Sequence, residues 1–134
     1  MCNLDDLIGK KYREDFEEKT EDNFNCWEIS VEVFKRYGIE VPQYDVKCHE
    51  EAYVNSLAET QRNSWKPLLP PDLPIPCLIV FNPHMTLIGH VGVYVGNGMF
   101  VHSMSKKGVC LERINHPLWK NRIEGYYSLK KEGE

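Results

Sequence analysis

The stretch Gly89-His90-Val91-Gly92-Val93-Tyr94-Val95-Gly96-Asn97-Gly98-Met99-Phe100-Val101-His102-Ser103 reads as two β-strands joined at Gly96-Asn97-Gly98, with one histidine on each strand. Parity decides whether the two imidazoles can meet. A three-residue loop over Gly96-Asn97-Gly98, with Gly98 in the left-handed region, sets Val95 opposite Met99 and Gly92 opposite His102. His90 then lies diagonally beside His102 on one face, within side-chain reach. A two-residue loop would send the histidines to opposite faces, because side chains alternate with a period of two.

Working outward, the hairpin strands run over Ile88–Val95 and Met99–Met104, with further strand patterns at Cys77–Phe81, Val109–Ile114 and Ile123–Leu129. The turns between them are Asn82-Pro83, Lys106-Lys107-Gly108 and Asn115-His116-Pro117, and the order suggests an antiparallel meander. Upstream, Pro67, Pro70, Pro71, Pro74 and Pro76 mark an extended surface connector, preceded at 45–66 by a polar, moderately helical stretch. Residues 13–25 are acidic, weakly periodic and read as a surface loop. From Cys26 to Tyr37 the apolar residues Trp27, Ile29, Val31, Val33, Phe34 and Tyr37 form a helical stripe, ended by Gly38 and capped by Asn25, or by Asn23 if the boundary slips. A helix followed by an antiparallel sheet is an α+β layout, and no internal repeat interrupts it.

Composition narrows the function classes. The 134 residues, 42% hydrophobic and 27% charged, suit one soluble domain spanning 1–134 with a core that needs no staples. A net charge of −4 leaves no footprint for a nucleic-acid backbone. The five cysteines form no C-x-x-C pair, and Cys48, His49, Cys77, His84, Cys110 and His116 show no spacing suited to a structural metal site, so neither metal nor cofactor is expected. Cys77 and Cys110 fall in strand patterns and are expected in the core. Met1-Cys2-Asn3-Leu4-Asp5-Asp6 lacks the basic start and apolar run of a signal peptide, and no stretch reaches membrane-spanning length. The expectation is a chain made in the cytoplasm, without membrane insertion.

A nucleophilic thiol needs thiolate character near neutral pH, which a helix N-terminus and a neighbouring imidazole supply; that imidazole needs a partner on its second nitrogen. Cys26 at the helix start, His90 as general base and acid, and His102 as the group that orients His90 satisfy all three needs. A developing oxyanion at the helix start would meet the backbone N–H of Cys26. Trp27, adjacent to the thiol, could wall a substrate groove, although packing is the commoner role for such a ring.

These residues resemble the NlpC family of papain-fold cysteine peptidases, which cut peptides of the bacterial cell wall. Asn25-Cys26-Trp27 with its apolar helix, then Tyr37-Gly38-Ile39 and Val41-Pro42, is similar to the nucleophile segment, most of all in the phage-tail branch. Gly89 to Ser103 is similar to the two histidine motifs, and Trp119 with Arg122-Ile123-Glu124-Gly125-Tyr126-Tyr127 to the closing strand. The resemblance spans about Gly9 to Leu129. It implies a papain-like fold with the nucleophile on an N-terminal helix packed on an antiparallel sheet. It also implies catalysis by Cys26, His90 and His102, a substrate-site tyrosine at Tyr12, peptidoglycan stem peptides as substrate, and phage tail proteins as partners. By that implication the chain reaches the cell wall through a virion or through release. Asn25 and Glu28 replace the aspartate and the small residue usual in the family. Two rival readings keep the fold: a tail-assembly or interaction protein with weak or lost catalysis, and a thiol acyltransferase in which an amine or alcohol resolves the thioester.

Overall fold

The computed structural model describes residues 3–14, 16–41, 65–82 and 90–130. In chain order these form β1 (Lys11–Tyr12), β2 (Asn23–Phe24), α1 (Cys26–Arg36), β3 (Trp65–Leu68), β4 (Cys77–Phe81), β5 (Val91–Gly96), β6 (Met99–Met104), β7 (Gly108–Arg113) and β8 (Ile123–Leu129). This is the expected α+β class, with α1 packed against β5 and β6. No helix among the described residues is long and apolar enough to cross a membrane.

The main sheet has the order β3-β8-β4-β5-β6-β7, antiparallel throughout. It is a meander only from β4 to β7, since β8 returns to lie between β3 and β4. β3 corrects the expected connector: Trp65 pairs with Leu129 and Pro67 with Tyr127. Pro67 is tolerated because β3 is an edge strand, where a proline's missing N–H costs no second ladder bond. The remainder of the helical expectation for 45–66 lies outside the described residues.

The acidic segment also ends differently from expectation. Asn23–Phe24 is a buried strand, parallel to β1, with Tyr12 opposite Phe24. The Ser103 hydroxyl donates to the Phe24 carbonyl at 2.7 Å, tying the approach to α1 onto β6. The helix itself begins and ends where its caps dictate. At its far end the Gly38 N–H bonds the Lys35 carbonyl and the Ile39 N–H bonds the Phe34 carbonyl, with Gly38 at φ 81°. That is the two-bond glycine stop of a helix whose last carbonyls need partners.

The sheet has two apolar faces. Ile29, Val33 and Phe34 of α1 share one cluster with Val91, Val93, Val101 and Val109. Ile79, Phe81, Phe100 and Trp119 form the other. Burying both faces makes the sheet a stiff platform, because each strand is packed from two sides.

The hairpin turn corrects one expectation while preserving its consequence. Gly96 pairs with Met99, so the loop is the two residues Asn97 and Gly98, at φ 54° and 71°. Both positive angles belong to the turn type that matches strand twist. Tyr94 pairs with Phe100, which leaves Val95 as an extra residue in a bulge. The bulge restores the parity that the shorter loop would have lost: a Cβ built on Gly92 would lie 3.2 Å from the His102 Cβ.

Candidate active site

Cys26 is the first residue of α1, behind an Asn25 cap in extended conformation. The Asn25 side-chain oxygen accepts the Glu28 N–H at 2.8 Å, and the Glu28 carboxylate accepts the Asn25 N–H at 2.9 Å. This reciprocal capping box holds the first turn in one geometry and sets Cys26 at the positive end of the helix. Glu28 also receives Arg13 Nε at 2.8 Å, and the Ser30 hydroxyl donates to the Cys26 carbonyl at 2.8 Å.

His90 immediately precedes β5, while His102 lies within β6. Both occupy the sheet face opposite α1, among Phe81, Phe100 and Trp119. The Trp119 ring stacks on His90 with centroids 5.8 Å apart and a 21° interplanar angle. The Cys26 side chain lies close enough to His90 to favour its charged form. The structure therefore brings Cys26 and His90 together at the end of the sheet, and His90 Nε2 lies 2.7 Å from His102 Nδ1.

A fourth group completes the line. His102 Nε2 lies 2.5 Å from Glu112 Oε2, and the same oxygen accepts the Trp119 indole N–H at 3.1 Å. The His102 hydrogen bond, followed by smaller contributions, holds the Glu112 carboxyl below its ordinary range against the opposing effect of burial. Burial pushes both imidazoles toward neutrality; contact with Cys26 opposes this at His90, and Glu112 opposes it at His102.

Those contacts fix where the protons sit. A carboxylate only accepts, so His102 must donate from Nε2, and a neutral imidazole then accepts at Nδ1. His90 must in turn donate from Nε2, which leaves its Nδ1 as the acceptor that faces the Cys26 thiol. Glu112 thus sets the tautomers of two rings in series. Sequence reading missed it. The available signal was strand parity: Cys110 pairs with His102, and Glu112, two residues further along β7, falls on the same face.

The other candidates separate. Tyr12 is half-buried in β1, paired with Phe24 two residues ahead of Cys26. Trp27 is only 2% exposed and meets Trp65 edge-on at 6.5 Å. Its ring packs mainly in the core, the commoner of the two roles expected for it. Cys77 is buried as expected, and desolvation pushes its thiol up to about 12. Cys110 departs from the core expectation: it is half-buried, lies 3.4 Å from His102 Nε2, and desolvation pushes its thiol up to about 11. Cys48, His49 and His84 lie outside the described residues.

The sequence profile of the NlpC/P60 family matches residues 9–127. Over 48 residues, 36% of this chain and 10% of the relative, the chain is 40% identical to the peptidoglycan DL-endopeptidase CwlO of Bacillus licheniformis. Over 33 residues, 25% of this chain and 18% of the relative, it is 48% identical to the murein DD-endopeptidase MepS/murein LD-carboxypeptidase of Escherichia coli. Among solved structures it is similar to an NLP/P60 family protein, described as similar to lipoprotein, from Staphylococcus aureus (TM-score 0.64, 18% identity, 94% of this chain and 38% of that one). It is also similar to an NlpC/P60 family protein from Bacillus cereus (TM-score 0.62, 20% identity, 90% and 35%). The chain therefore spans well under half the length of each of these proteins. None of the four is described as a phage tail protein, so they lend no support to the tail-like branch or to tail partners.

Proposed function

This chain belongs to the NlpC/P60 family, and from that premise we propose that it is a cysteine peptidase of peptidoglycan stem peptides, with Cys26 as nucleophile, His90 as base and acid, and His102 as orienting partner. The observation that carries the reading is the line of His90, His102 and Glu112, whose histidine–histidine step is 2.7 Å, with the Cys26 side chain near enough to His90 to favour its charged form. The names of the relatives, a DL-endopeptidase and a DD-endopeptidase, support the substrate class.

The Cys26 proton passes to His90 Nδ1, and the thiolate attacks an amide carbonyl to form a tetrahedral adduct. The helix N-terminus favours the negative charge of both thiolate and adduct. His90, now an imidazolium, returns the proton to the leaving amine as the adduct collapses to a thioester. Water then enters, His90 takes its proton, and a second tetrahedral adduct releases the free acid and restores the thiol. His102 and Glu112 hold His90 in the tautomer that receives a proton, and they stabilise its charged form. Tyr12 enters as a substrate-side residue by the family resemblance; its strand pairs beside Phe24, two residues ahead of Cys26. Trp27, adjacent to the thiol, is the second substrate-side candidate, with its ring largely packed in the core.

The rival inert reading looked to Asn25 and Glu28 for lost function, yet together they make the cap that presents Cys26. The test is incubation with defined muropeptides followed by mass spectrometry, with Cys26→Ser as control. Cleavage by the native chain and none by the variant is expected. Cleavage by both would remove Cys26 from the reaction, and cleavage by neither would leave the inert reading standing. Transfer to an added amine in place of free acid would identify an acyltransferase.

A further inference from the structure

We propose that His102, Cys110 and Glu112 form a binding site for a divalent transition metal, zinc foremost, and that the bound ion turns off the Cys26–His90 pair by reversing the tautomers of both histidines. The second half rests on the proposed roles of Cys26 and His90; the site itself does not.

One potential ligand atom from each of the three side chains lies within 4.8 Å of the other two. Cys110 Sγ is 3.4 Å from His102 Nε2 and 3.8 Å from Glu112 Oε2. Ligand atoms around tetrahedral zinc stand about 3.3–3.8 Å apart, as follows from its bond lengths. Two of the three separations already fit, and the 2.5 Å His102–Glu112 contact would open by roughly an ångström. A ladder fixes the frame: His102 pairs directly with Cys110, and Phe100 with Glu112. The site is reachable, since Cys110 is half-buried and the Glu112 side chain keeps 23% exposure, leaving a direction for a water as fourth ligand. A nitrogen, sulfur and oxygen set suits zinc or cobalt over magnesium or calcium.

Binding rearranges protons in a defined way. The Cys110 thiol loses its proton to solvent and becomes the thiolate ligand. His102 gives up its Nε2 proton to make the metal bond and receives one on Nδ1 from His90 Nε2, across the 2.7 Å contact. His90 regains a proton from solvent on Nδ1. Each ring carries one proton before and after, and one proton is released overall. His90 then presents an N–H to Cys26 where it had presented a lone pair, so it can no longer take the thiol proton. The lever is the hydrogen bond that Glu112 makes with His102 in the metal-free chain.

The test titrates Co²⁺, then competing Zn²⁺, into the 134-residue chain while recording near-ultraviolet absorbance, and follows Cys26 alkylation by iodoacetamide with peptide mapping. We expect a thiolate-to-cobalt band saturating near one equivalent, present in Cys26→Ser and absent in Cys110→Ser and Cys110→Ala. Glu112→Gln should weaken zinc at least tenfold. One equivalent of zinc should slow Cys26 alkylation tenfold or more in the native chain, and less than twofold in Cys110→Ala. A cobalt band that vanishes in Cys26→Ser but persists without Cys110 would overturn the proposal, as would no band at all. A Cys110-dependent band in a chain that cleaves no muropeptide would uphold the site and defeat only the peptidase reading.

Discussion

Asn25 and Glu28 cap each other across the first turn of α1, through bonds of 2.8 and 2.9 Å that run in opposite directions. The turn they hold is the one that carries Cys26, so stability and reactivity share a cause. Asn25→Ala should cost about 1 kcal/mol, the usual penalty for a lost cap, and lower Tm by about 3–6 °C. Asn25→Asp should retain the cap. Thermal melts compared with Cys26 alkylation rates check the link. An alanine variant that melts lower yet alkylates at the native rate would uncouple cap and thiol.

Gly92 shows how closely the hairpin is built around His102. A Cβ there would meet the Val101 carbonyl oxygen at 3.1 Å and the His102 Cβ and Phe100 Cδ2 at 3.2 Å each. Phe100 and His102 are fully buried and cannot retreat. Gly92→Ala should therefore push β6 outward, destabilise by about 1–3 kcal/mol, and cost more in turnover than in stability. Gly98 is the control. It sits at φ 71° with nothing within 4 Å of a built Cβ, so Gly98→Ala should cost only about 1 kcal/mol of backbone strain and spare turnover. Equal turnover losses in the two variants would refute the packing argument.

Much of this was legible from local pattern. The helix from Cys26 and the strands Cys77–Phe81, Met99–Met104 and Ile123–Leu129 follow from periodicities of 3.6 and 2, whereas the shared face of His90 and His102 is reached through a loop length that the structure corrects and a bulge that compensates for it. What escaped depends on contacts distant in sequence. β3 reads as a proline connector because its pairing with β8 joins residues some sixty positions apart. The return of β8 beside β4 leaves no mark in either strand. The bulge at Val95 is invisible because any of the three residues 95–97 could absorb the extra step. Glu112 escaped because a strand glutamate is ordinarily a solvent-facing residue, and only the β6–β7 register brings it to His102.

The thiols should differ sharply in reactivity. Burial raises Cys77 to about 12 and Cys110 to about 11, so at pH 7.5 both are overwhelmingly protonated. Cys26 has a helix N-terminus and the His90 acceptor to assist ionisation. Brief iodoacetamide treatment with peptide mapping should label Cys26 at least tenfold faster than Cys77 or Cys110, and His90→Ala should abolish that lead. Comparable labelling of the three thiols in the native chain would show that the pair is not activated.

Glu112→Gln isolates the tautomer control from the fold. The amide fills the same space, but the one oxygen it replaces meets both His102 Nε2 and the Trp119 indole N–H: an NH₂ turned there donates to His102 Nε2 and favours the reversed arrangement of both rings, at the cost of the Trp119 bond. Losing the carboxylate also removes support for the charged His90 that forms during turnover. By analogy with neutralising the orienting carboxylate of a serine protease triad, kcat should fall about 10²–10⁴-fold. KM should stay within about threefold, and the melting curve should remain cooperative. His90→Ala should be the most damaging of the series and His102→Ala less so, because orientation is lost before proton transfer. Adding Glu112→Gln to His102→Ala should cost little more if the carboxylate acts through that ring and its hold on Trp119 is secondary. Fully additive losses in the double variant would mean that Glu112 reaches the reaction by a route independent of His102.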